Sequence, residues 1–179
     1  MRAFIAVDVP EGIRAVLSSA ADMLGFDGIR LVQENNLHIT MLFLGDIDES
    51  RVDDIKGIIS KVNPDGFEVS LEGLGVFTPR MPKVIFAKVV DHSRSLLRTY
   101  NFLRAGVERL GLIVEDRQYI PHVTLGRLTG TQNLGYAGIE ESLARIAVKQ
   151  SFRCTGISLK SSILSQDGPI YKNLYSLPV

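Results

Sequence analysis

The sequence has few of the features that mark secreted or membrane-spanning chains. Cys154 is the only cysteine among the 179 residues, so an intramolecular disulfide is excluded and a zinc site built from cysteines is strongly disfavoured. The longest run without Asp, Glu, Lys or Arg covers only residues 128–139, which is too short for a membrane helix. The apolar start at residues 3–7 meets Asp8 at once, far short of a secretory signal. We therefore expect a cytoplasmic protein with no membrane partner.

Net charge is also absent, because 20 basic residues balance 20 acidic ones. A chain with this charge balance is not expected to bind a polyanion over an extended surface, so contacts with a charged ligand should be local. What is present is the profile of a folded globule, with 45% hydrophobic and 22% charged residues. At this length a core can bury roughly 70% of the unfolded surface. We expect a single domain over residues 1–179, acting as a monomer.

Hydrophobic patterning predicts the same order of elements twice along the chain. The spacing of landmarks supports this, since His38 and His122 are 84 residues apart, and Phe67 and Phe152 are 85 apart. Such spacing indicates an internal duplication, with approximate units 1–80 and 81–179. The predicted strands are 3–9, 29–32, 37–44 and one from residue 67, then 84–90, 112–114, 119–125, 152–159 and a tail at 170–177; the predicted helices follow Pro10 and lie near 52–62, 96–110 and 139–146. We predict an α+β fold of two similar lobes, each a sheet with helices on one face, with a cleft between the sheets.

Each predicted unit contains one His-x-Thr in a strand. Because side chains two residues apart share a face of a strand, His38 and Thr40 should point together, as should His122 and Thr124. The intervening apolar residues should pack behind them; these are Ile39, Met41, Phe43, Val123 and Leu125. Each lobe therefore presents an imidazole beside a hydroxyl. His92, the third histidine, stands at a predicted helix start without such a neighbour, and we interpret it as structural.

Two facing imidazoles suit concerted acid–base catalysis. A neutral ring can remove a proton from an attacking water while a protonated ring donates one to the leaving oxygen, and each contribution is worth roughly 10² to 10⁴ in rate. Imidazole is suited to both roles because its pKa lies near neutrality. Placement on opposite sides of one atom matches an in-line displacement at phosphorus. The threonines would then donate to the non-bridging oxygens, and a nearby arginine would offset the developing charge.

The two motifs, HITMLFLG from His38 and PHVTLGR ending at Arg127, closely resemble the paired motifs of the two-histidine phosphoesterases. The branch they resemble is that of the 2′-5′ RNA ligases or RNA 2′,3′-cyclic phosphodiesterases. The resemblance is nearly full length, and it also covers RAFIAVDVP, GLGVFTPRMPKVIFAKV and SLKSSILSQDGPIYKNLYSL. It implies a pseudo-symmetric bilobal fold with mainly antiparallel sheets, no metal or other cofactor, and opening of a terminal 2′,3′-cyclic phosphate to a 2′-phosphate. The implied partners are RNA ends or nucleotides with that cyclic phosphate, with reversible 2′-5′ ligation as a further reaction.

The resemblance also implies residue roles. His38 would be the proton donor to the leaving 3′ oxygen and His122 the proton acceptor that activates water. Thr40 and Thr124 match the family's phosphate-binding threonines, and Arg127 matches the arginine after its second motif.

Several positions leave alternatives open. Where the family commonly has a tryptophan and a lysine, this chain has Leu31 and Leu42. Strict alternation aims Arg127 away from His122, so it reaches the phosphate only if the strand bulges or ends near Gly126. Phe4 is either a base-stacking residue or part of the core.

Two alternatives to a metal-free enzyme are a metal hydrolase and a binding module without catalytic activity. A metal hydrolase is disfavoured, because neither His38 nor His122 has a second histidine or a carboxylate at ligand spacing on its own strand. A module that binds an RNA end or nucleotide in the cleft without turning it over remains the alternative to an enzyme.

Overall fold

A computed structural model describes residues 1–62, 66–77, 83–115, 118–129, 136–154, 156–165 and 168–178. These residues form nine strands and four α-helices that alternate in part along the chain. The strands are β1 (Arg2–Asp8), β2 (Ile29–Leu31), β3 (His38–Asp46), β4 (Phe67–Phe77), β5 (Val84–Val90), β6 (His122–Leu128), β7 (Lys149–Cys154), β8 (Gly156–Ser165) and β9 (Gly168–Pro178); the helices are α1 (Glu11–Asp22), α2 (Val52–Ile59), α3 (Ser95–Arg109) and α4 (Tyr136–Ala144). None of the helices in these ranges has the length and apolar character needed to cross a membrane.

All described strand pairs are antiparallel, and the strand order is β7-β4-β5-β6-β3-β1-β8-β9, with β2 added beside β6. The two halves of this sheet meet at β3 and β6, whose register among the described residues is a single pair, Ile39 with Val123. On either side of the junction stand corresponding strands, β1 beside β3 and β5 beside β6. The α+β class and the antiparallel pairing are as predicted, and the two predicted sheets are joined into one through β3 and β6. The predicted boundary between residues 80 and 81 lies outside the described residues.

The helices tie the two halves together. Pro10, with φ −57°, stands immediately before α1, where a fixed φ suits the helix start. This helix buries Leu17 and the small residues Ala20 and Ala21, and it contacts β6 as well as the segment before β3. Helix α3 buries Leu103 among others and contacts β3. Each of these helices thus packs against the central strand of the opposite half, which fixes the halves relative to each other.

Two predicted strands differ from the structure. Residues 112–114 form no strand, and Ile113 is 94% exposed, so one side of this segment has no packing partner. The predicted strand 152–159 is two strands, since β7 ends at Cys154 and β8 begins at Gly156. They lie in different halves of the sheet, β7 beside β4 and β8 beside β1. A continuous apolar pattern indicates extended chain but not which neighbour it pairs with.

A β-bulge interrupts β3 just after the first histidine motif. Thr40 pairs with Ala6 and Leu42 with Ile5, so Met41 is the extra residue. Both Met41 and Leu42 are buried, and the alternation of faces is reversed beyond them. The expectation that Phe43 packs behind the strand is therefore wrong: it is 61% exposed and lies on the face of His38.

Strand β6 carries the equivalent bulge. Thr124 pairs with Phe86 and Gly126 with Ile85, which leaves Leu125 as the extra residue. The bulged carbonyl of Leu125 accepts a hydrogen bond from the backbone of Val32 at 2.8 Å, so it is not left unpaired. Like Phe43, Arg127 stands five residues after its histidine, and the bulge returns it to the histidine face.

Gly126 lies against β2, where it pairs with Leu31. A Cβ built on Gly126 would lie 2.9 Å from Cδ1 of Ile29 and 3.3 Å from the carbonyl oxygen of Arg30. The Ile29 side chain could turn away from a larger residue, whereas the Arg30 carbonyl could give way only if the backbone of β2 shifted. Glycine at this position therefore permits the short strand to pair.

We expect Gly126→Val to destabilise the protein by about 1–3 kcal/mol, because the added side chain overpacks the contact with β2. Urea unfolding monitored by circular dichroism measures the change. Gly57→Ala is the matched control, since nothing lies within 4 Å of the added Cβ in α2. It should stabilise the protein by about 0.5–1 kcal/mol. Equal unfolding midpoints for Gly126→Val and the wild type would contradict the close approach of β2.

Candidate active site

The cleft is the space between the diverging strands β3 and β6. All five residues singled out in the sequence line it: His38, Thr40, His122, Thr124 and Arg127. Arg30, Phe43, Phe77 and Tyr171 line it as well. The duplicated motifs thus face one another across a single pocket. His92 is exposed and is not among the residues that line this cleft.

His38, the first residue of β3, is oriented by hydrogen bonds at both ring nitrogens. Its Nδ1 lies 2.6 Å from the carbonyl oxygen of Asn36, and its Nε2 lies 3.0 Å from Oγ1 of Thr40. A carbonyl oxygen can only accept, so Nδ1 carries the proton and donates it to Asn36. In the neutral ring Nε2 is then the acceptor, and the hydroxyl of Thr40 donates to it.

His122 repeats this arrangement in the other half. Its Nδ1 donates to the carbonyl oxygen of Ile120 at 2.7 Å. In both motifs the acceptor is the backbone carbonyl two residues before the histidine. The basic nitrogen of each neutral ring is therefore Nε2, the atom from which proton transfer in the cleft would take place.

Burial lowers the pKa of both histidines. The pKa of His38 falls from 6.5 to about 4, chiefly by desolvation. The carbonyl of Asn36 and the carboxylate of Asp8 oppose this change, while Lys160 and His122 add to it. The pKa of His122 is also lowered, again chiefly by desolvation, with a further contribution from Arg127 and an opposing one from the Ile120 carbonyl. Both rings are thus neutral at pH 7, and an anion bound between them would raise both pKa values.

Aromatic rings pack against each imidazole. Phe4 and Tyr171 have ring centroids 5.0 Å and 5.4 Å from that of His38. Phe77 and Phe86 lie 4.8 Å and 5.4 Å from His122. These contacts restrict the tilt of both rings and account for the loss of water around them.

The structure also settles the alternatives for Phe4. This side chain is 3% exposed and is covered by the rings of His38, Phe43 and Tyr171, so it is buried beneath the cleft wall and is not open to a nucleobase. Leu42, at the position of the family's lysine, is 3% exposed and also packs in the core. Leu31, at the position of the family's tryptophan, is 36% exposed and lines the cleft.

Some residues near the site were not predicted from the sequence. Tyr171 reaches the cleft from β9, and only its place in the C-terminal segment SLKSSILSQDGPIYKNLYSL could have pointed to it. Asp8 pairs in register with His38 and is held by Lys160 Nζ at 2.8 Å and by the hydroxyl of the buried Ser158. No sequence motif marks that network, because it forms between β1 and β8, whose residues are about 150 positions apart.

No group of three or more His, Cys, Asp or Glu side chains in the described ranges is arranged to hold a metal ion. The polar neighbours of the histidines within the cleft are hydroxyls, the amides of Gln33 and Asn36, and guanidinium groups.

Comparison with known proteins identifies relatives over nearly the whole chain. The family model of LigT-like phosphoesterases matches residues 7–86 and 89–171. The RNA 2′,3′-cyclic phosphodiesterase of Archaeoglobus fulgidus is 36% identical over 97% of this chain and 98% of its own length. The enzyme of the same name from Methanothermobacter thermautotrophicus is 34% identical, over 97% of this chain and 96% of its own.

The structure of this chain is also similar to solved structures of other proteins. The crystal structure of TT0787 from Thermus thermophilus has a TM-score of 0.84 and 30% identity, and it covers 99% of this chain and 97% of its own. That of Escherichia coli LigT complexed with 3′-AMP has a TM-score of 0.78, with the same coverage of both chains. At 22% identity the second likeness concerns the fold alone.

The lowered pKa of His38 makes stability depend on pH in a defined window. Between pH 6.5 and about 4 the unfolded chain binds a proton that folded His38 does not, so the free energy of unfolding should fall as the pH falls through that window. His38→Gln should show a shallower fall, measured by urea unfolding at a series of pH values. His92→Gln serves as the control and should follow the wild type. Parallel curves for the wild type and His38→Gln would contradict the burial of this imidazole.

Proposed function

The chain belongs to the LigT-like phosphoesterase family and is an RNA 2′,3′-cyclic phosphodiesterase, and we propose that His38 and His122 carry out its chemistry as an acid–base pair. The observation that supports this proposal is the placement of both imidazoles, with their Nδ1 atoms engaged by equivalent carbonyls, in the wall of one cleft. Two such groups on either side of a phosphorus atom meet the requirement of an in-line displacement.

In the proposed reaction, Nε2 of His122 removes a proton from a water molecule as its oxygen attacks the phosphorus of the cyclic phosphate. The bond from phosphorus to the 3′ oxygen breaks on the opposite side. His38 donates the proton on its Nε2 to that oxygen. The products are a 3′-hydroxyl and a 2′-phosphate, and the two histidines end with their protonation states exchanged. No step is assigned to a metal or another cofactor.

Thr40, Thr124 and Arg127 are proposed to bind the phosphate. Their hydroxyls and guanidinium are donors, and all three line the cleft beside the histidines. As the phosphorus becomes pentacoordinate, negative charge grows on its non-bridging oxygens, and donors already in place stabilise that charge more than they stabilise the substrate. Thr40 would turn its hydroxyl from His38 to the phosphate, which leaves Nε2 of His38 to hold a proton.

Proton donation by His38 depends on the bound anion. A pKa of about 4 leaves this ring neutral at pH 7, whereas a phosphate beside Nε2 favours the charged form. Asp8, which pairs with His38 from the neighbouring strand β1, acts in the same direction, and Lys160 opposes it. Binding of substrate would therefore supply the proton donor. The assignment of acid and base follows the family resemblance.

The proposed substrates are RNA ends and nucleotides that carry a 2′,3′-cyclic phosphate. By microscopic reversibility the same groups can join a 5′-hydroxyl to the cyclic phosphate, with the hydroxyl taking the place of water. That reaction would form a 2′-5′ linkage.

Substitution of either histidine tests the catalytic assignment. We expect His38→Ala and His122→Ala each to lower kcat for a nucleoside 2′,3′-cyclic phosphate by roughly 10² to 10⁴, since each removes one proton transfer. Steady-state assays in EDTA, with the product's phosphate position determined by ³¹P NMR, measure the effect.

His92→Ala is the matched control and should retain the wild-type rate. Tight binding of the cyclic nucleotide without turnover by the wild type would instead favour a binding module. Activity abolished by EDTA and restored by Zn²⁺ would require a metal mechanism.

The pH dependence of the rate provides an independent test. We expect bell-shaped profiles, with the maximum of kcat/KM on the acidic side of pH 6.5, because the pKa values of both histidines are lowered in the free protein. The maximum of kcat should lie at higher pH, because the bound phosphate raises both values. Rates between roughly pH 4 and 9 measure this difference. Coincident maxima would mean that the bound phosphate does not act on the histidines.

A further inference from the structure

A second arginine shares the cleft with Arg127. Strand β2 pairs with the end of β6 so that Arg30 lies directly opposite Arg127. Directly opposite residues of an antiparallel pair project from the same face, with Cβ atoms about 4.5–5.5 Å apart. Both side chains are exposed and both line the cleft.

Two like charges in this position are unfavourable unless an anion offsets them. Among the described residues, neither guanidinium forms an ion pair, and no Asp or Glu lines the cleft. The protein as a whole has no net charge, so this concentration of positive charge is a local feature. The pair of arginines therefore creates a positive potential at the end of the cleft formed by the C-terminal part of β6 and by β2.

The backbone holds Arg30 firmly in this place. Only three residues form β2, but hydrogen bonds extend the pairing at both ends: Val32 N donates to the Leu125 carbonyl at 2.8 Å, and Thr129 N donates to the Gly28 carbonyl at 2.9 Å. The first of these bonds uses the carbonyl exposed by the bulge in β6. The bulge that turns Arg127 toward the cleft thus also anchors the strand that carries Arg30.

We propose that Arg30 binds a second phosphate, the phosphodiester one nucleotide upstream of the terminal cyclic phosphate of an RNA strand. This rests on the proposed function, in which the histidines, threonines and Arg127 hold the terminal phosphate. Arg30 lies on a strand that carries neither histidine, directly opposite Arg127 and beside it in the cleft wall. A guanidinium there meets the next negative charge of the strand and distinguishes an RNA end from a mononucleotide.

The test compares two substrates, a nucleoside 2′,3′-cyclic phosphate and a trinucleotide ending in the same cyclic nucleotide. For Arg30→Ala, the ratio of kcat/KM for the trinucleotide to that for the mononucleotide should fall about tenfold, mainly through KM. Arg30→Lys should restore part of the ratio, since it keeps the charge but not the bidentate geometry. The slope of log(kcat/KM) for the trinucleotide against log salt concentration should become shallower by about 0.7, the value for one phosphate of a single strand.

Arg145→Ala is the matched control, because it removes one positive charge from an exposed ion pair with Glu141 outside the cleft. It should leave the substrate ratio unchanged. An unchanged ratio in Arg30→Ala, or an equal loss on both substrates, would overturn the proposal. An equal loss of the ratio in Arg145→Ala would show that net charge alone is responsible.

A binding arm separates this proposal from the proposed function. The ligands are a trinucleotide and a mononucleotide that both end in a 2′-phosphate, and their binding can be measured without turnover. Arg30→Ala should weaken binding of the trinucleotide by about tenfold and leave binding of the mononucleotide unchanged. If the wild type hydrolysed neither cyclic substrate, the phosphodiesterase mechanism would fail while these affinities still decided the role of Arg30.

Discussion

The site depends on the junction between β3 and β6, where Ile39 and Val123 form the one described pair that joins the two halves of the sheet. Both residues are fully buried, and each stands between the histidine and the threonine of its motif. Period-two alternation therefore places the polar members of both motifs on the opposite face, across from one another. Because the strands diverge beyond this pair, a cleft opens at the place where the imidazoles project.

Two β-bulges, one in β3 and one in β6, determine which further side chains face the cleft. Without the extra residues Met41 and Leu125, the alternation would carry Phe43 and Arg127 to the buried face. With them, one half contributes an aromatic ring to the cleft and the other a guanidinium, at equivalent positions. The two halves thus share this backbone feature and differ in the side chain that each presents to the cleft.

Much of this arrangement could be predicted from the sequence, because it follows from local periodicity. The histidine–threonine pairs, the α+β class and most elements depend on apolar spacing that a strand or helix imposes on its own residues. The features that were not predicted depend on contacts between residues distant in sequence. The bulge at Met41 places Phe43 on the face opposite to the predicted one. For Arg127, the sequence showed that a bulge or a strand end near Gly126 was needed, but not that it was present. Tyr171 reaches the cleft through the pairing of β9 with β8, and no property of residues 112–114 alone shows that they lack a strand partner.

The hydrogen bonds that fix the histidine tautomers have a consequence for how such a site can diverge. Their acceptors at positions 36 and 120 are main-chain atoms, which every amino acid supplies. Mutation can therefore change the side chains there without altering which ring nitrogen bears hydrogen, provided the peptide path is kept. Selection on proton placement would leave no mark in the identity of those two residues, and alignments of descendants would underestimate how much of the histidine geometry is inherited.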